Sequence, residues 1–187
     1  MNIDQILDQI YLINHASKQK FIDCFEEIRL PKNHLIIRSD KVERSVFFIK
    51  KGIARAFSTF DDAEVTIAFG EEGDTIISLN SYILNQAGYE NIELLEECDL
   101  YKISVKDLQS LFEKDIDIAN WGRKFAEQEL IKAEHRFISN QLGTATERYM
   151  ELLKKHPTLI QRVPLGLVAS YLGITQVSLS RIRASIK

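Results

Sequence analysis

Residues 162–187 read RVPLGLVASYLGITQVSLSRIRASIK. Pro164 suits the first position of a helix, Gly173 interrupts that helix, and Thr175 is a preferred N-cap for a second one. Two short helices joined by a glycine-containing turn form a helix-turn-helix. We expect the buried angle between them to be lined by five residues: Leu167, Val168, Tyr171, Leu172 and Ile174.

The second of these helices has an apolar side that predicts its orientation. At about 100° per residue, Leu179, Ile182 and Ile186 lie on one side, which we expect to face the core. Small residues let a helix backbone approach DNA closely, and Gln and Arg match adenine and guanine edges in the major groove. The opposite side has no carboxylate and consists of Gln176, Val177, Ser180, Arg181, Ala184 and Lys187. Within it we predict four base-contacting residues: Gln176, Val177, Ser180 and Arg181.

Other polar and basic side chains flank this face. Thr175 and Ser178, near the N-terminus of the helix, can donate hydrogen bonds to phosphate beside the free backbone amides. Arg183, Lys187 and Arg162 are predicted to contact phosphate through their charge. Arg162 is assigned from charge alone, next to a short strand expected before the first helix. The alternative is an exposed amphipathic helix with no partner.

Charge is divided unevenly along the chain. The 187 residues carry 24 Lys and Arg against 27 Asp and Glu, a net charge of -3. Residues 141–187 hold seven basic and two acidic residues, so this part carries +5 and the other residues carry -8. A basic module on an acidic body is typical of a protein that binds a polyanion and has a second role elsewhere. With the helix-turn-helix, this division favours double-stranded DNA as the partner.

The composition, 45% hydrophobic and 27% charged, is that of an ordinary globular protein. No apolar run reaches the roughly 18 residues needed to cross a bilayer, and Asp4 and Asp8 stand where a leader would be basic. We therefore expect a cytoplasmic protein with no membrane partner. Two cysteines are too few for an iron–sulfur cluster, which needs about four thiolates, and we expect no metal or other cofactor.

The first part of the chain predicts helices followed by short strands. Apolar residues at helical spacing indicate two short helices before residue 25. From about Ile28 to Ile103, apolar runs such as Val46 to Ile49 alternate with turn signals, which indicates seven or eight strands in an antiparallel barrel or sandwich. Enzymes of the cupin kind share this strand density but need clustered His and carboxylate ligands, and only His34 lies in the strands. We therefore predict that the protein is not an enzyme.

A long helix is predicted from about Ile116 to Leu142, with Gly143 as its C-terminal stop. Such a helix can dock on the protein's own β region or form the seam of a dimer. We favour the dimer, because a helix-turn-helix of this size binds DNA weakly alone. Such proteins usually bind as dimers to two half-sites about 34 Å apart. The proposed seam is a stripe of small and apolar residues: Gly122, Ala126, Leu130, Ala133 and Phe137.

Three stretches follow one another along the chain: FFIKKGIARAF at 47–57, AFGEEGD at 68–74 and VASYLGITQVSLSRIR at 168–183. With them the chain resembles the CRP/FNR superfamily of bacterial transcription regulators over almost its whole length. The resemblance implies an α+β fold: an N-terminal antiparallel β-roll of the cyclic-nucleotide-binding, jelly-roll type (residues 1–115), a dimerisation helix (116–142) and a C-terminal helix-turn-helix DNA-binding domain (143–187).

The resemblance also implies a homodimer on palindromic operator DNA, with RNA polymerase as a further partner if the protein is an activator. The base-reading positions of the family correspond to Gln176, Val177 and Arg181, and its phosphate contacts to Thr175 and Ser178. The sequence ends soon after these residues, so we expect the wing hairpin of the family and some of its phosphate contacts to be missing. The alternative function is a small-molecule sensor module that acts through protein partners without specific DNA binding.

The effector site departs from the family pattern. The Gly-Glu pair of members that bind cyclic AMP falls on Ile77 and Ser78, and their Arg-Ser pair falls on Gly88 and Tyr89. Without this Glu and Arg, the ribose hydroxyl loses an acceptor and the cyclic phosphate loses a cation. Cyclic AMP is therefore not expected as the effector. The polar, uncharged lining that remains, which either takes a neutral ligand or is closed, consists of Ser78, Asn80, Ser81, Asn85 and Tyr89.

Overall fold

The structure is a computed structural model that describes residues 1–61 and 63–186. Its helices are α1 (Ile3–Ile10), α2 (His15–Ile22), α3 (Leu79–Leu84), α4 (Val105–Lys114), α5 (Ile116–Leu142), α6 (Ala145–Lys155), α7 (Leu159–Arg162), α8 (Leu165–Tyr171) and α9 (Gln176–Ser185). Its strands are β1 (Glu26–Leu30), β2 (Leu35–Ile37), β3 (Ser45–Lys51), β4 (Ala54–Phe60), β5 (Ala63–Gly70), β6 (Thr75–Ile76), β7 (Asn91–Leu94) and β8 (Cys98–Ser104).

The chain divides into two compact units. The first comprises Met1–Ala56 and Phe69–Leu130, and the second comprises Phe57–Ala68 and Ile131–Lys187. Helix α5 contributes to both units. The functional limits expected at residues 115 and 143 stay a prediction. Among the described residues, no helix combines the length and the apolar character needed to cross a membrane.

Two four-stranded sheets form the β region, with strand orders β1-β8-β3-β6 and β2-β7-β4-β5. Strand β8 pairs antiparallel with both β1 and β3, so that Leu100 lies opposite Ile28 on one side and Ile49 on the other. Antiparallel sheets combined with separate helices confirm the predicted α+β class with an N-terminal β-roll.

Strand β3 contains the unbroken apolar run from Val46 to Ile49, and it is buried on both faces. Val46 and Phe48 belong to one buried cluster, while Phe47 and Ile49 belong to another. Successive side chains of a strand point to opposite faces. A strand that is covered on both faces therefore needs apolar residues at every position, and alternation is lost.

The N-terminal part of α5 packs within the first unit. The Trp121 indole Nε1–H donates to the Leu7 carbonyl oxygen at 2.9 Å, and its ring meets Phe21 edge-on at 5.0 Å between centroids. Phe125 stacks on the same indole at 5.8 Å. Docking of the long helix on its own unit therefore occurs through Ile118, Trp121 and Phe125. Of the predicted stripe, only Gly122 lies at this contact.

Three local predictions from the sequence were wrong or incomplete. Helix α3 was not predicted, because its six residues are too few to show a clear period. The short strand expected before Pro164 is the helical turn α7, which places Leu159 and Val163 on one buried side at a spacing of four residues. Helix α5 ends before Gly143 as predicted, but not through a left-handed glycine; a Cβ at Gly143 would lie 2.6 Å from the Ser139 carbonyl oxygen.

Gly173 ends helix α8 in the left-handed conformation, with φ of 65°. Its N–H donates to the Ser170 carbonyl oxygen at 3.1 Å, and the Ile174 N–H donates to that of Ala169 at 3.0 Å. These two bonds form a Schellman motif, which satisfies the carbonyl groups left over at the end of the helix. The turn between α8 and α9 therefore depends on this one backbone conformation.

Gly173→Ala is expected to lower the free energy of unfolding by about 1 kcal/mol, the cost of a left-handed backbone for an ordinary residue. A Cβ at this position meets no atom within 4 Å, so the cost comes from the backbone alone. Gly173→Asn is the control and should lose less, because Asn tolerates this conformation. Urea denaturation followed by circular dichroism measures both; equal losses for Ala and Asn would contradict this explanation.

Candidate nucleic-acid interface

Helix α9 packs against a small apolar core in the second unit. Leu179 is fully buried there, together with Val168 and Leu172 of the preceding helix and turn. The other three residues predicted for this angle, Leu167, Tyr171 and Ile174, are half-buried. Burial of Leu179 fixes the rotation of α9 about its axis, and so determines which side chains face outward.

The outward side of α9 is exposed along its length. It presents Gln176, Val177, Ser180, Arg181 and Ala184. Helix α9 contains no carboxylate, and among the described residues neither Arg181 nor Arg183 takes part in an ion pair. Both guanidinium groups are therefore available to an acceptor outside the protein. Ile186, predicted to face the core, is instead 37% exposed, because α9 ends at Ser185 and Ile186 is its C-cap.

The N-terminus of α9 is built by Thr175 and Ser178. The Ser178 backbone N–H donates to Thr175 Oγ1 at 3.1 Å, and the two hydroxyl oxygens lie 3.0 Å apart. One hydroxyl hydrogen is used between the two oxygens, and the other can point outward. Backbone N–H groups of the first turn have no acceptor within the helix. This end of α9 therefore offers several hydrogen-bond donors to an anion.

The three basic residues predicted to contact phosphate have different surroundings. Arg183 is exposed on α9, whereas Arg162 is half-buried at the last residue of α7. Lys187 lies outside the described residues. Of the two that the structure describes, only Arg183 is exposed and lies on the same helix as Arg181.

Arg148 of α6 supports the turn that precedes α9. Its guanidinium donates to the Gly143 carbonyl oxygen at 2.7 Å and to the Leu172 carbonyl oxygen at 2.9 Å. Helix α6 begins with a capping box in which the Thr144 N–H donates to Glu147 at 2.8 Å, an interaction that holds the pKa of that carboxyl below its usual value. Arg148 thus joins the start of α6 to the helix-turn-helix. From the sequence, Arg148 was expected only to contribute positive charge.

The predicted stripe on α5 is exposed except at its start. Leu130 is 72% exposed and Phe137 is 65% exposed, and Ala126 and Ala133 are also exposed. Gly122 differs, because a Cβ there would lie 2.7 Å from the ring of Phe112, so this glycine allows α4 to approach α5. The C-terminal half of α5 exposes three further apolar side chains that the stripe did not include: Ile131, Ile138 and Leu142.

The five residues predicted to line an effector pocket do not share one environment. Ser78 and Ser81 are buried, Asn80 is half-buried, and Asn85 and Tyr89 are exposed. Ser81 Oγ accepts the Glu43 N–H and donates to the Gln86 carbonyl oxygen, both at 3.1 Å, so this hydroxyl holds the chain around α3.

Glu90, which was not among the predicted lining residues, is only 9% exposed, and its carboxylate oxygens and Ser78 Oγ all lie within 3 Å of the position that a Cβ of residue 88 would take. A lining that was expected to be uncharged therefore also contains a carboxylate. Among the described residues, no three His, Cys, Asp or Glu side chains are grouped so that they can hold a metal ion.

Known proteins are similar to this chain at two levels: a domain family matches residues 27–115, and solved structures match most of the chain. Residues 27–115 match the family model of the cyclic nucleotide-binding domain. No curated protein sequence matches the chain. The structure of FixK2 from Bradyrhizobium japonicum is similar with a TM-score of 0.74 and 18% identity, over 87% of this chain and 84% of that one.

Two further solved structures match different shares of the chain. A protein from Eubacterium rectale, described as a transcriptional regulator of the CRP/FNR family, matches with a TM-score of 0.68 and 16% identity, over 91% of this chain and 82% of that one. The regulatory domain of Toxoplasma gondii PKA, crystallised with cyclic AMP, matches with a TM-score of 0.54 and 15% identity, over 58% of this chain and 42% of that one. Much of the PKA chain therefore has no counterpart here.

The family match covers nearly all of β1 to β8 together with α4, while the two bacterial structures also match beyond this domain. At these identities the similarity to the solved structures establishes the fold alone. Residues 27–115 are therefore similar to the cyclic nucleotide-binding domain family, and the chain shares its fold with FixK2 and with the protein from Eubacterium rectale.

Proposed function

We propose that the protein is a transcription regulator that binds palindromic operator DNA as a homodimer, with α9 in the major groove. One observation carries the proposal: α9 buries Leu179 and exposes a side without carboxylates, on which Gln176 and Arg181 stand near small residues. An exposed surface of this kind has little use within a monomer. It suits an anionic groove that displays hydrogen-bond acceptors.

The proposed contacts fall into two classes. Gln176, Val177, Ser180 and Arg181 contact base edges, because they lie on the exposed side of α9. Thr175 and Ser178 at its N-terminus contact phosphate, with Arg183 at the edge of the face and with Arg162 and Lys187 on charge alone. Phosphate contacts position the protein on DNA, and base contacts give sequence preference.

The homodimer is proposed to form along α5. Leu130 and Phe137 are large apolar side chains in water in the single chain, and both lie on the predicted stripe. Their burial against a second copy removes apolar area from water, which stabilises association by about 25 cal/mol per Å² before the cost of ordering the two chains. Pairing through α5 also brings two copies of α9 to one DNA duplex.

Cyclic AMP is not proposed as the effector. The position where relatives carry an Arg for the cyclic phosphate is Gly88, and the carboxylate of Glu90 lies next to it. An anionic phosphate at this place meets a negative charge instead of a cation, which is unfavourable in a poorly solvated site. If the protein activates transcription, RNA polymerase is a further partner, and the proposed site of action is the cytoplasm.

Salt dependence tests the proposed electrostatic contacts. If each protomer neutralises three or four phosphates, the logarithm of the affinity for a selected operator should fall with the logarithm of salt concentration with a slope of roughly -5 to -7. Fluorescence anisotropy with a labelled duplex at several KCl concentrations measures this slope. A slope near zero would contradict the proposal, and would leave a sensor that acts through protein partners as the better account.

A further inference from the structure

We infer that a cavity in the second unit binds a small organic carboxylate that has an apolar body. The cavity has a volume of about 460 Å³ and lies between β5, the C-terminal end of α5, α6 and α8. All of its lining residues belong to the second unit, and it is called the α6 cavity below. The inference rests on contacts within that unit and is independent of the proposed binding to DNA.

Hydrogen bonds hold the walls of the α6 cavity in place. The Thr66 backbone N–H of β5 donates to Ser170 Oγ of α8 at 2.9 Å, and this hydroxyl donates to the Glu64 carbonyl oxygen at 3.3 Å. The Ser139 hydroxyl of α5 donates to the Glu151 carboxylate of α6 at 3.0 Å. The volume of the cavity falls within the range of about 300–1,000 Å³ that small-molecule sites occupy. The cavity is therefore formed within the single chain and has the size of a ligand site.

Two guanidinium groups that line the cavity give it a positive charge. Arg148 donates only to the carbonyl oxygens of Gly143 and Leu172, and its Nε is buried without a hydrogen-bond partner among the described residues. Arg136 is exposed, and no carboxylate of the described residues forms an ion pair with it. A buried N–H group without an acceptor is unfavourable. Within the described part of the chain, both guanidinium groups therefore lack an anionic partner.

The carboxylate of Glu151 also lines the cavity, but it is already paired. It accepts Lys155 Nζ at 2.6 Å and the Ser139 hydroxyl, and both bonds hold the pKa of this carboxyl below its usual value. Glu151 and Lys155 neutralise each other, so the charges of Arg136 and Arg148 remain. The cavity therefore favours an anion, since a guanidinium forms its strongest hydrogen bonds with carboxylate or phosphate groups.

Apolar side chains form another part of the cavity wall. Val65 is 46% exposed and Ile67 is 38% exposed, and they lie on the same face of β5 because they are two residues apart. Leu152 and Leu172 are buried and also line the cavity. A ligand that covers Val65 and Ile67 removes apolar area from water, which a small inorganic anion does not do. The ligand therefore needs an apolar body next to its anionic group.

The anionic group is assigned as a carboxylate. Its two oxygens match the paired N–H groups of a guanidinium, and it carries a single negative charge. A phosphate monoester carries about 1.5 to 2 negative charges near pH 7, so it meets stronger repulsion from Glu151. Burial raises the pKa of the Tyr171 phenol above its usual value, so this lining residue stays neutral and can donate a hydrogen bond to a carboxylate.

Amide chemical shifts of the ¹⁵N-labelled full chain, with calorimetry for the affinity, test the inference. Phenylacetate and 4-methylpentanoate are the probes, phenylacetamide is the neutral match of phenylacetate, benzyl phosphate is its phosphate match, and acetate has the charge without the apolar body. We expect at least one of the two probes to bind once per chain and to move the Thr66 and Gly173 amide signals to saturation at millimolar concentration. Phenylacetamide and acetate should each bind about tenfold more weakly or less, since each lacks one of the two interactions.

Arg136→Gln should weaken the binding of the carboxylate by about fivefold or more, whereas Arg136→Lys should retain most of it, because the charge is kept. Val65→Thr keeps the shape of the side chain and should also weaken binding, because it makes the wall polar. Lys154→Gln is the matched control, since it removes a cation from the exposed surface of α6 outside the cavity.

All four variants change exposed residues, so circular dichroism should show that they are folded. Four results would overturn the inference: no binding of either carboxylate, equal or tighter binding of phenylacetamide or benzyl phosphate, equal losses for Arg136→Gln and Lys154→Gln, or shifts confined to residues of the first unit.

Discussion

Phe137→Glu is expected to convert the protein from a dimer into a folded monomer and to weaken operator binding by at least about 100-fold. Phe137 is 65% exposed in the single chain, so its replacement removes little packing within one protomer. In the proposed dimer the same side chain is buried between two copies of α5, where two carboxylates would be desolvated beside each other. Without the dimer, each α9 binds its half-site alone and the gain from linking two sites is lost.

Light scattering on a sizing column measures this change directly. The chain has a mass of 21.5 kDa, so the wild type should elute at twice that mass and the variant at the mass of one chain. Gln109→Glu is the control, because it adds the same charge at an exposed position of α4. Circular dichroism should show that both variants are folded. A variant that stays dimeric with unchanged affinity would place the interface elsewhere.

Arg181→Ala is expected to cost about 1–3 kcal/mol of binding free energy on the selected operator and to relax selectivity at one base pair. The guanidinium of Arg181 is exposed on α9 and has no ion pair among the described residues, so its removal leaves the fold unchanged. The loss should be large on the operator and small on duplexes that carry a different base pair at the contacted position.

Arg183→Ala is the matched comparison, since it removes the same group two residues along the same helix. As a phosphate contact, Arg183 should contribute equally on all sequences, and its loss should reduce the magnitude of the salt slope by about 1. Anisotropy titrations on the operator and on its single base-pair variants separate the two behaviours. If both variants lose affinity uniformly, Arg181 contacts phosphate and does not read a base.

Local hydrogen bonding made much of the second unit predictable. Thr175 was recognised as an N-cap from its sequence neighbours alone, and the structure has this cap as well as the similar one formed by Thr144 and Glu147. Each cap joins residues only three positions apart, so the sequence contains the whole interaction. Burial of Leu179 was also predictable from neighbouring residues, because two residues of a helix that are two positions apart, such as Leu179 and Arg181, lie on opposite sides.

Interactions between distant residues were not predictable. Arg148 donates to a carbonyl oxygen that is 24 residues away, and nothing near Arg148 in the sequence distinguishes it from a surface cation. Glu90 is buried because the chain brings Ser78 and Gly88 around it, and a single sequence does not show this. Helix α3 was missed because it is short and lies within a region of strands.

Selection of bound fragments from sheared genomic DNA tests the central claim most directly. If α9 reads the major groove in a dimer, the retained fragments should share a palindromic sequence whose half-sites lie about one helical turn apart, near 34 Å. The Arg181→Ala protein should retain fragments with a weakened preference at one position of each half-site. Retention of no fragments by the wild-type protein, or of fragments without a common sequence, would contradict the account.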